Sequence, residues 1–312
     1  MIYTLTPNPS VDRSITIAEI QFNTVLRSKG IRLDWGGKGF NVSRSLHQIG
    51  MDTVAMGWVG GGTGKMLADG LQGLGIQTDF VWVEQDTRTN TMLIEAEGAW
   101  HIKVNEPGPS ISKDDIEQLI LKVEGFARRD DLWVLSGSLP PDVPDNFYAK
   151  LIMLFHERGA RVYLDTSGKA LQVGCQAAPH LVKPNVTEAS QVVGFSIDDL
   201  EDAQRAALTF LRFGVEYFAL TMGADGLLLA SQQEMVLAIP PKVDVRNTAG
   251  SGDSLLAGII YAQSQGLDLV EVARWGVAMG SASVETEGVS EFEIDRVQSL
   301  LGEVEARVIN VL

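Results

Sequence analysis

Short apolar runs alternate along the chain with longer segments in which apolar residues recur at every third or fourth position. The runs Ile2–Leu5, Val54–Val59, Phe80–Val83, Leu132–Leu135, Val162–Leu164, Leu181–Val182, Tyr217–Thr221 and Leu227–Ala230 predict strands. The segments Asn41–Ile49, Lys65–Leu74, Ser112–Phe126, Asn146–Arg158, Leu200–Phe213, Ser254–Gln263, Leu269–Ser283 and Ile294–Arg307 predict helices. The clearest helix is Ser112–Phe126, where Ile116, Leu119, Ile120, Val123 and Phe126 fall at offsets 0, 3, 4, 7 and 10 and share one face. Ser112, followed three residues later by Asp115, has the form of a capping box.

Short apolar strands joined through helices imply a mostly parallel sheet covered on both faces, an α/β sandwich. Two segments, approximately 13–35 and 87–105, break the alternation. They carry β-prone stretches (Ser14–Ile17 and Thr91–Glu95) with no helix inside either segment, and predict a small antiparallel sheet inserted as a lid. No linker rich in Pro, Gly or Ser divides residues 1–312, so one α/β domain carrying a lid is expected.

Composition narrows the function classes. With 45% hydrophobic and 21% charged residues the 312-residue chain is no disordered polymer and can bury a sizeable core. Twenty-five Lys and Arg against 40 Asp and Glu leave a net charge of −15. That argues against nucleic-acid and anionic-membrane partners, which need a basic surface. A small anionic ligand needs only a local basic cluster that overcomes this background. No apolar run reaches membrane-spanning length, and the opening MIYTLTPNPSVDRS lacks a signal-peptide pattern, so a soluble cytoplasmic protein is expected. Cys175 is the single cysteine, and His47, His101, His156 and His180 are widely separated, which leaves no disulfide and no zinc motif.

Four segments carry candidate chemistry. In the first, Asn247–Ser254, the glycines of Gly250-Ser251-Gly252 allow a tight turn immediately before the apolar helix residues Leu255–Ile260. A helix start of this kind is an anion site suited to phosphate. Asp253 sits inside it and reads either as a base beside a phosphoryl group or as a helix-capping residue. In the second, Asp34–Val42, a glycine-rich turn with Lys38 inside it opens a helix. Neither this turn nor Gly60–Met66 is a Walker A loop, because Ser or Thr does not follow the lysine in either. In the third, Lys183-Pro184-Asn185-Val186-Thr187-Glu188, Asn185 and Glu188 share a helical face. They could hold water around a magnesium ion, or form an N-terminal capping box. The fourth, Thr221–Gly226, is a hairpin turn between two strands.

Occurring together and in this order, these segments make the chain resemble the PfkB family of ribokinase-like carbohydrate kinases over essentially its whole length. The opening TLTPNPSVDRS, the TRTN at 87–90 and the SGSLPPDV at 136–143 resemble the branch containing 1-phosphofructokinase, tagatose-6-phosphate kinase and the minor 6-phosphofructokinase. The resemblance implies a three-layer α/β/α sandwich and transfer of the γ-phosphoryl group of ATP, with Mg²⁺, to a hydroxyl of a ketohexose phosphate. It assigns Asp253 as catalytic base and the backbone of Gly250, Ser251 and Gly252 as the anion hole. It places Lys183, Asn185 and Glu188 near the nucleotide phosphates, with Asn185 and Glu188 reaching magnesium through water. Thr221, Gly223, Asp225 and Gly226 would line the ATP side. Asp12, Gly37, Asn41 and Ser138 would hold the sugar. Arg27, Lys38 and Arg88 would bind the phosphate the sugar already carries. The lid would close over the sugar and pair with that of a second copy in a homodimer, with Ile15, Ile17, Met92 and Ile94 as candidate contacts.

The chain departs from the family pattern at Ser251, where Ala is usual; the backbone N–H is retained. Val25 stands where the minor 6-phosphofructokinase carries Lys, and Lys38 where it carries Gly. Both differences favour fructose 1-phosphate, giving fructose 1,6-bisphosphate, or tagatose 6-phosphate over fructose 6-phosphate as acceptor. A non-catalytic sugar- or nucleotide-binding protein on the same fold is the alternative of another class, and the need for Asp253 separates the two.

Overall fold

A computed structural model describes residues 1–97 and 100–309. The N-terminal half runs β1 (Ile2–Thr6), β2 (Ser10–Ile17), β3 (Ser28–Gly36), α1 (Lys38–Gln48), β4 (Thr53–Gly60), α2 (Gly61–Gly73), β5 (Gln77–Thr78), β6 (Val81–Val83), β7 (Arg88–Glu95), β8 (His101–Val104) and α3 (Lys113–Phe126). It continues β9 (Leu132–Ser136), α4 (Phe147–Glu157), β10 (Arg161–Asp165), α5 (Gly168–Cys175), β11 (Leu181–Val182), α6 (Val186–Val193) and α7 (Leu200–Arg212). The C-terminal part is β12 (Tyr217–Thr221), β13 (Leu227–Ala230), β14 (Met235–Ile239), α8 (Ser251–Ser264), α9 (Leu269–Val284), α10 (Ile294–Leu301) and β15 (Glu305–Ile309).

Eleven strands form one sheet in the order β15-β14-β13-β12-β11-β10-β9-β1-β4-β5, with β6 also on β4. Pairings from β5 through β12 are parallel, and β13 to β15 add an antiparallel edge. Period-2 alternation divides the strand side chains between two cores. Leu132 and Val134 of β9 face α1, α8, α9 and α10, whereas Trp133 and Leu135 face α3, α4, α5 and α7. This is the expected three-layer α/β/α sandwich. Helix α8 is deeply buried after its first turn: Leu256, Ile259 and Ile260 are fully enclosed, each worth about 1.5–3 kcal/mol on burial. Close packing on α9 depends on Gly258, where a Cβ would overlap the Trp275 carbonyl.

The second sheet has the order β3-β2-β7-β8. Its two hairpin pairs are antiparallel, but the central β2–β7 pair is parallel, which corrects the expected all-antiparallel arrangement. Between β3 and β7 the chain passes through α1, β4 and α2 and re-enters the small sheet from the same end. Alternation along a strand reports its faces and says nothing of its direction. Residues 98 and 99 of the second expected lid segment lie outside the described residues.

The last predicted helix, Ile294–Arg307, is also corrected. Helix α10 stops at Leu301, and Glu305–Ile309 becomes edge strand β15, paired with β14 through five register positions. Gly302 ends the helix, and Glu305–Ile309 runs half-exposed along that edge. Strand β14 itself, with helices α5 and α6, completes the alternation where the sequence pattern left loops.

Candidate active site

The parallel strands end along one edge of the main sheet, where open α/β sheets bind ligands. Asp165 closes β10, Lys183 follows β11, and Lys38 opens α1 after the small sheet. Their side chains meet. Lys38 Nζ lies 2.8 Å from Asp165 Oδ1 and Lys183 Nζ lies 3.0 Å from Asp165 Oδ2. Asp165 has no solvent exposure. Burial alone would raise its pKa, but Lys183 and Lys38 together hold it below the ordinary value. Burial would likewise discharge Lys38, and Asp165, Asp253 and Glu188 outweigh it, so its pKa is raised.

Asp253 stands opposite, in the first turn of α8. Gly250 is the helix cap with φ +80°, a left-handed conformation that favours glycine, and Asp253 N–H donates to the Gly250 carbonyl at 3.0 Å. The side chain of Asp253 is therefore not the cap. It is buried, and Asn41 Nδ2 donates to its Oδ2 at 2.8 Å. Burial and the neighbouring Asp165 push its pKa up to about 6, against the opposing pull of Lys38, Lys183 and the Asn41 amide. Lys183 also overlooks the glycine turn: a Cβ on Gly252 would lie 3.4 Å from its Nζ.

Asn185 and Glu188 form the capping box of α6. Asn185 Oδ1 accepts from Glu188 N–H, and Glu188 Oε2 accepts from Asn185 N–H, both at 2.9 Å. That leaves Glu188 Oε1, 4.0 Å from Lys38 Nζ, as the oxygen of the pair turned toward the centre. Among the described residues no group of three or more His, Cys, Asp and Glu side chains could hold a metal ion alone. A hydrated cation carried by phosphates, met through water by Glu188, fits this donor set.

Beside the centre lies a cleft of about 1080 Å³. It is lined by Lys38, Lys183, Glu188 and the turn Gly250–Asp253, with Thr221, Gly223 and Gly226. Pro241, Val243, Val245, Val277 and Val284 add an apolar lining. Charged groups and an apolar surface within one cleft match a nucleoside polyphosphate. The apolar wall escaped sequence reading because its residues come from a loop and a distant helix. Ala224, and not Asp225, lines this cleft; Asp225 is exposed in the turn.

A polar corner lies where the small sheet meets β1 and β9. Register places Ser10 and Asp12 of β2 beside Arg88 and Asn90 of β7 on one face. Asp12 Oδ1 accepts from Ser10 Oγ at 2.7 Å and from Asn90 Nδ2 at 2.8 Å. Arg88 Nη2 donates to the Asn8 carbonyl at 2.9 Å, and Asn8 Nδ2 reaches Ser138 Oγ at 3.4 Å. Gly37 (φ +148°) packs so closely on Thr6 that a Cβ would lie 2.9 Å from its methyl group. Asn8 Oδ1, Asn41 Oδ1, Arg88 Nε and Asn90 Oδ1 are buried without a hydrogen-bond partner. Such atoms are costly unless a ligand or water satisfies them, and a polyhydroxylated molecule has the matching chemistry. Ser10, Asn8 and Asn90 were not singled out from sequence, although the period-2 placement of Asn90 beside Arg88 could have marked it.

The expected grouping of Lys38 with Arg27 and Arg88 does not form. Lys38 is committed to Asp165 and faces Glu188, and it lines the cleft. Arg27 is exposed in the loop before β3 and makes no hydrogen bond or ion pair among the described residues.

Comparison with known proteins bears on this geometry. The model of the family described as pfkB family carbohydrate kinase matches residues 7–295. The chain is 35% identical over 306 residues to a 1-phosphofructokinase of Bacillus subtilis, covering 97% of this chain and 98% of that protein. It is 33% identical over 294 residues to a 1-phosphofructokinase of Borreliella burgdorferi, covering 94% of each. Among solved structures it is similar to the phosphofructokinase-2 of Escherichia coli in complex with potassium, with a TM-score of 0.92, 28% identity and coverage of 97% and 98% of the two chains.

A stability prediction follows from Asp253. Its folded pKa of about 6 lies above the unfolded value of 3.8. The buried carboxylate therefore costs nothing below about pH 4 and destabilises the fold progressively as pH rises through 6. Asp253→Asn removes this burden, so the variant is more stable than the parent at pH 8, by on the order of 2–3 kcal/mol. Urea unfolding at pH 8 and pH 4.5 checks it: the gain shrinks at the lower pH, and an equal or larger gain there contradicts the assignment.

Proposed function

The chain belongs to the pfkB family of carbohydrate kinases, and on that premise we propose that it phosphorylates fructose 1-phosphate at its C6 hydroxyl, giving fructose 1,6-bisphosphate. The coarser activity, phosphoryl transfer from ATP to a sugar hydroxyl, is that of the family. The observation that carries the mechanism is Asp253, a buried carboxylate between a glycine turn at a helix start and two lysines. A non-catalytic binding protein has no use for so costly a group. The names of the curated relatives support the acceptor, as does the polar corner containing Arg88.

The acceptor hydroxyl reaches Asp253 with the sugar in the polar corner. Asp253 takes the hydroxyl proton as that oxygen bonds to the γ-phosphorus; the bond to the β–γ bridging oxygen breaks, and ADP leaves. Backbone N–H groups of Gly250 and Gly252, at the positive end of α8, stabilise charge on the transferring group; the expected third donor, the Ser251 N–H, is engaged with the Thr248 carbonyl at 3.3 Å. Lys183 and Lys38, held in place by Asp165, supply positive charge from the other side. Glu188 Oε1 would meet, through water, a Mg²⁺ ion brought in with the nucleotide, which would supply neutralisation of the phosphate charge. The small sheet closes over the acceptor as a lid and excludes water. Among the described residues no helix could cross a membrane, in keeping with a cytoplasmic site for this chemistry.

A homodimer through the lid belongs to the same reading. Its support is the distal lid face, where Ile31, Leu33 and Val104 are 53%, 40% and 59% exposed. Ile15 and Leu93 share that face, while Met92 and Ile94, paired with Ser14 and Thr16, point to the opposite one.

Four outcomes are expected. In a coupled ADP-release assay with ATP and Mg²⁺, fructose 1-phosphate gives the highest kcat/KM against tagatose 6-phosphate, fructose 6-phosphate, fructose and ribose; another dominant sugar phosphate replaces the proposed acceptor. Asp253→Asn lowers kcat by about 10²–10⁴-fold, the usual worth of a general base, with ATP binding retained; full turnover removes its role. For the free enzyme, kcat/KM falls as pH drops through about 6, because protonated Asp253 cannot accept a proton; an acid limb near 4 contradicts this. For the dimer, Leu33→Asp shifts sedimentation toward monomer at micromolar concentration, whereas a monomeric parent chain overturns that part of the reading.

A further inference from the structure

The segment 285–291, between α9 and α10, touches both the lid and the phosphoryl-binding turn. From the lid, Arg32 of β3 donates through Nη1 to the Glu287 carbonyl at 2.7 Å, while its Nε is fixed on Asp34 Oδ2 at 2.9 Å. From the turn, Asn247 Nδ2 donates to the same carbonyl at 3.0 Å. The other end of that amide, Asn247 Oδ1, accepts from Ala249 N–H at 3.0 Å, one residue before Gly250. One carbonyl, with two lone pairs, therefore joins lid strand and anion turn.

The segment is also seated directly on the turn. Ser290 is fully buried with a left-handed φ of +52°, and its Oγ donates to the Gly250 carbonyl at 3.2 Å. Gly250 is itself left-handed, and a Cβ there would overlap Ser290. Two left-handed residues in contact leave the turn little freedom to shift unless the segment shifts too. On the opposite side, buried Arg44 ties the Val289 carbonyl (3.3 Å) to the carbonyl of Trp35 at the lid base (3.2 Å). The base tie lies at the root of the lid, whereas Arg32 lies further out on the strand, opposite Ser14.

We propose that Arg32 is a positioning residue that couples the two substrate sites: closure of the lid over the acceptor sets Arg32 on Glu287, and through Asn247 this fixes the anion turn for the transferring phosphoryl group. The inference rests on the lid reading given above, and not on which sugar phosphate is the acceptor. Coupling of this kind is reciprocal: each substrate tightens binding of the other by the same factor. Arg32 is half exposed and touches none of the catalytic side chains, so its removal leaves the fold intact.

Calorimetric titration of a β,γ-methylene ATP analogue with Mg²⁺, without and with saturating fructose 1-phosphate, tests this. In the parent chain the sugar phosphate tightens analogue binding at least about fivefold, the lower end of ordinary coupling. In Arg32→Ala the ratio drops below about twofold while the Kd of each ligand alone stays within twofold, as the loss of coupling without loss of contact requires. Arg32→Gln, which keeps an N–H donor without the charge, recovers part of the ratio. An unchanged ratio in Arg32→Ala, no ratio in the parent chain, or a loss confined to sugar-phosphate binding alone overturns the proposal; the last would make Arg32 a direct ligand contact. If fructose 1-phosphate does not bind but tagatose 6-phosphate or fructose 6-phosphate produces the ratio, the acceptor assignment fails and the coupling stands.

Discussion

A carboxylate with no access to water, clamped between two lysines, is the constraint on which the rest of the site depends. Asp165 could not remain ionised where it is without compensation, since stranding a buried charge costs several kcal/mol. Lys38 and Lys183 provide that compensation at 2.8 and 3.0 Å and are in turn aimed by it. Asp253, a few side chains away, receives a single amide N–H from Asn41 and lies under the field of Asp165. The two carboxylates are thereby driven apart in character: one is held ionised as a strut, the other is left under-compensated and basic. Paired titratable groups pushed in opposite directions are the mark of assigned acid–base roles.

This arrangement explains why the fold has to be a parallel sheet with its order preserved. Lys38 and Asp165 are 127 residues apart, and Asn41 and Asp253 are 212 apart. Parallel strands bring their C-terminal ends to one edge, and the adjacency of β9, β10 and β11 sets Asp165 next to Lys183. Helix α8 then delivers Asp253 from the opposite side, packed on α1, which carries both Lys38 and Asn41. Shear between α1 and α8 would move Asp253 relative to its hydrogen-bond donor and to Lys38 together. The buried Ser45–Ser254 hydroxyl contact at 2.9 Å pins these helices right beside that pair, one turn along α1 from Asn41.

Much of the fold was legible because buried parallel strands and amphipathic helices write strong periodicities; β9, β12 and α3 lie where the pattern put them. Direction and edge pairing were not legible. The parallel β2–β7 pair and the helix-to-strand change at Gly302 are decided by contacts with distant strands. In the site, motifs exposed Asp253, Lys183 and the capping pair Asn185–Glu188, since glycine turns and caps are local signals. Asp165 gave no signal: an aspartate ending Val162-Tyr163-Leu164 reads as an ordinary strand end, and its role appears only when two lysines converge on it. Lys38 was visible as a cation in a glycine turn, but spacing does not say toward which pocket it points. Asn247 and Arg32 were invisible as partners for the same reason, since each binds a backbone carbonyl that carries no sequence identity.

The placement of Lys38 changes how an acidic protein holds anionic substrates. A chain of net charge −15 cannot draw phosphates in by its overall field, which salt screens beyond about 8 Å in any case. Nor is the centre strongly positive by count, because Lys38 and Lys183 face Asp165, Asp253 and Glu188. Phosphate must be met instead by directed groups: backbone N–H donors at the start of α8, and lysines whose partner is fixed but whose remaining N–H donors are free to turn. An incoming phosphoryl group then finds donors already oriented, with little reorganisation left to make, which is how preorganised polar sites lower a barrier. It also raises the charge burden on Asp253, so the base grows stronger as the nucleotide arrives and weaker as ADP departs. Proton uptake is thus favoured at the step that needs it, by the same proximity that makes the empty site costly to fold.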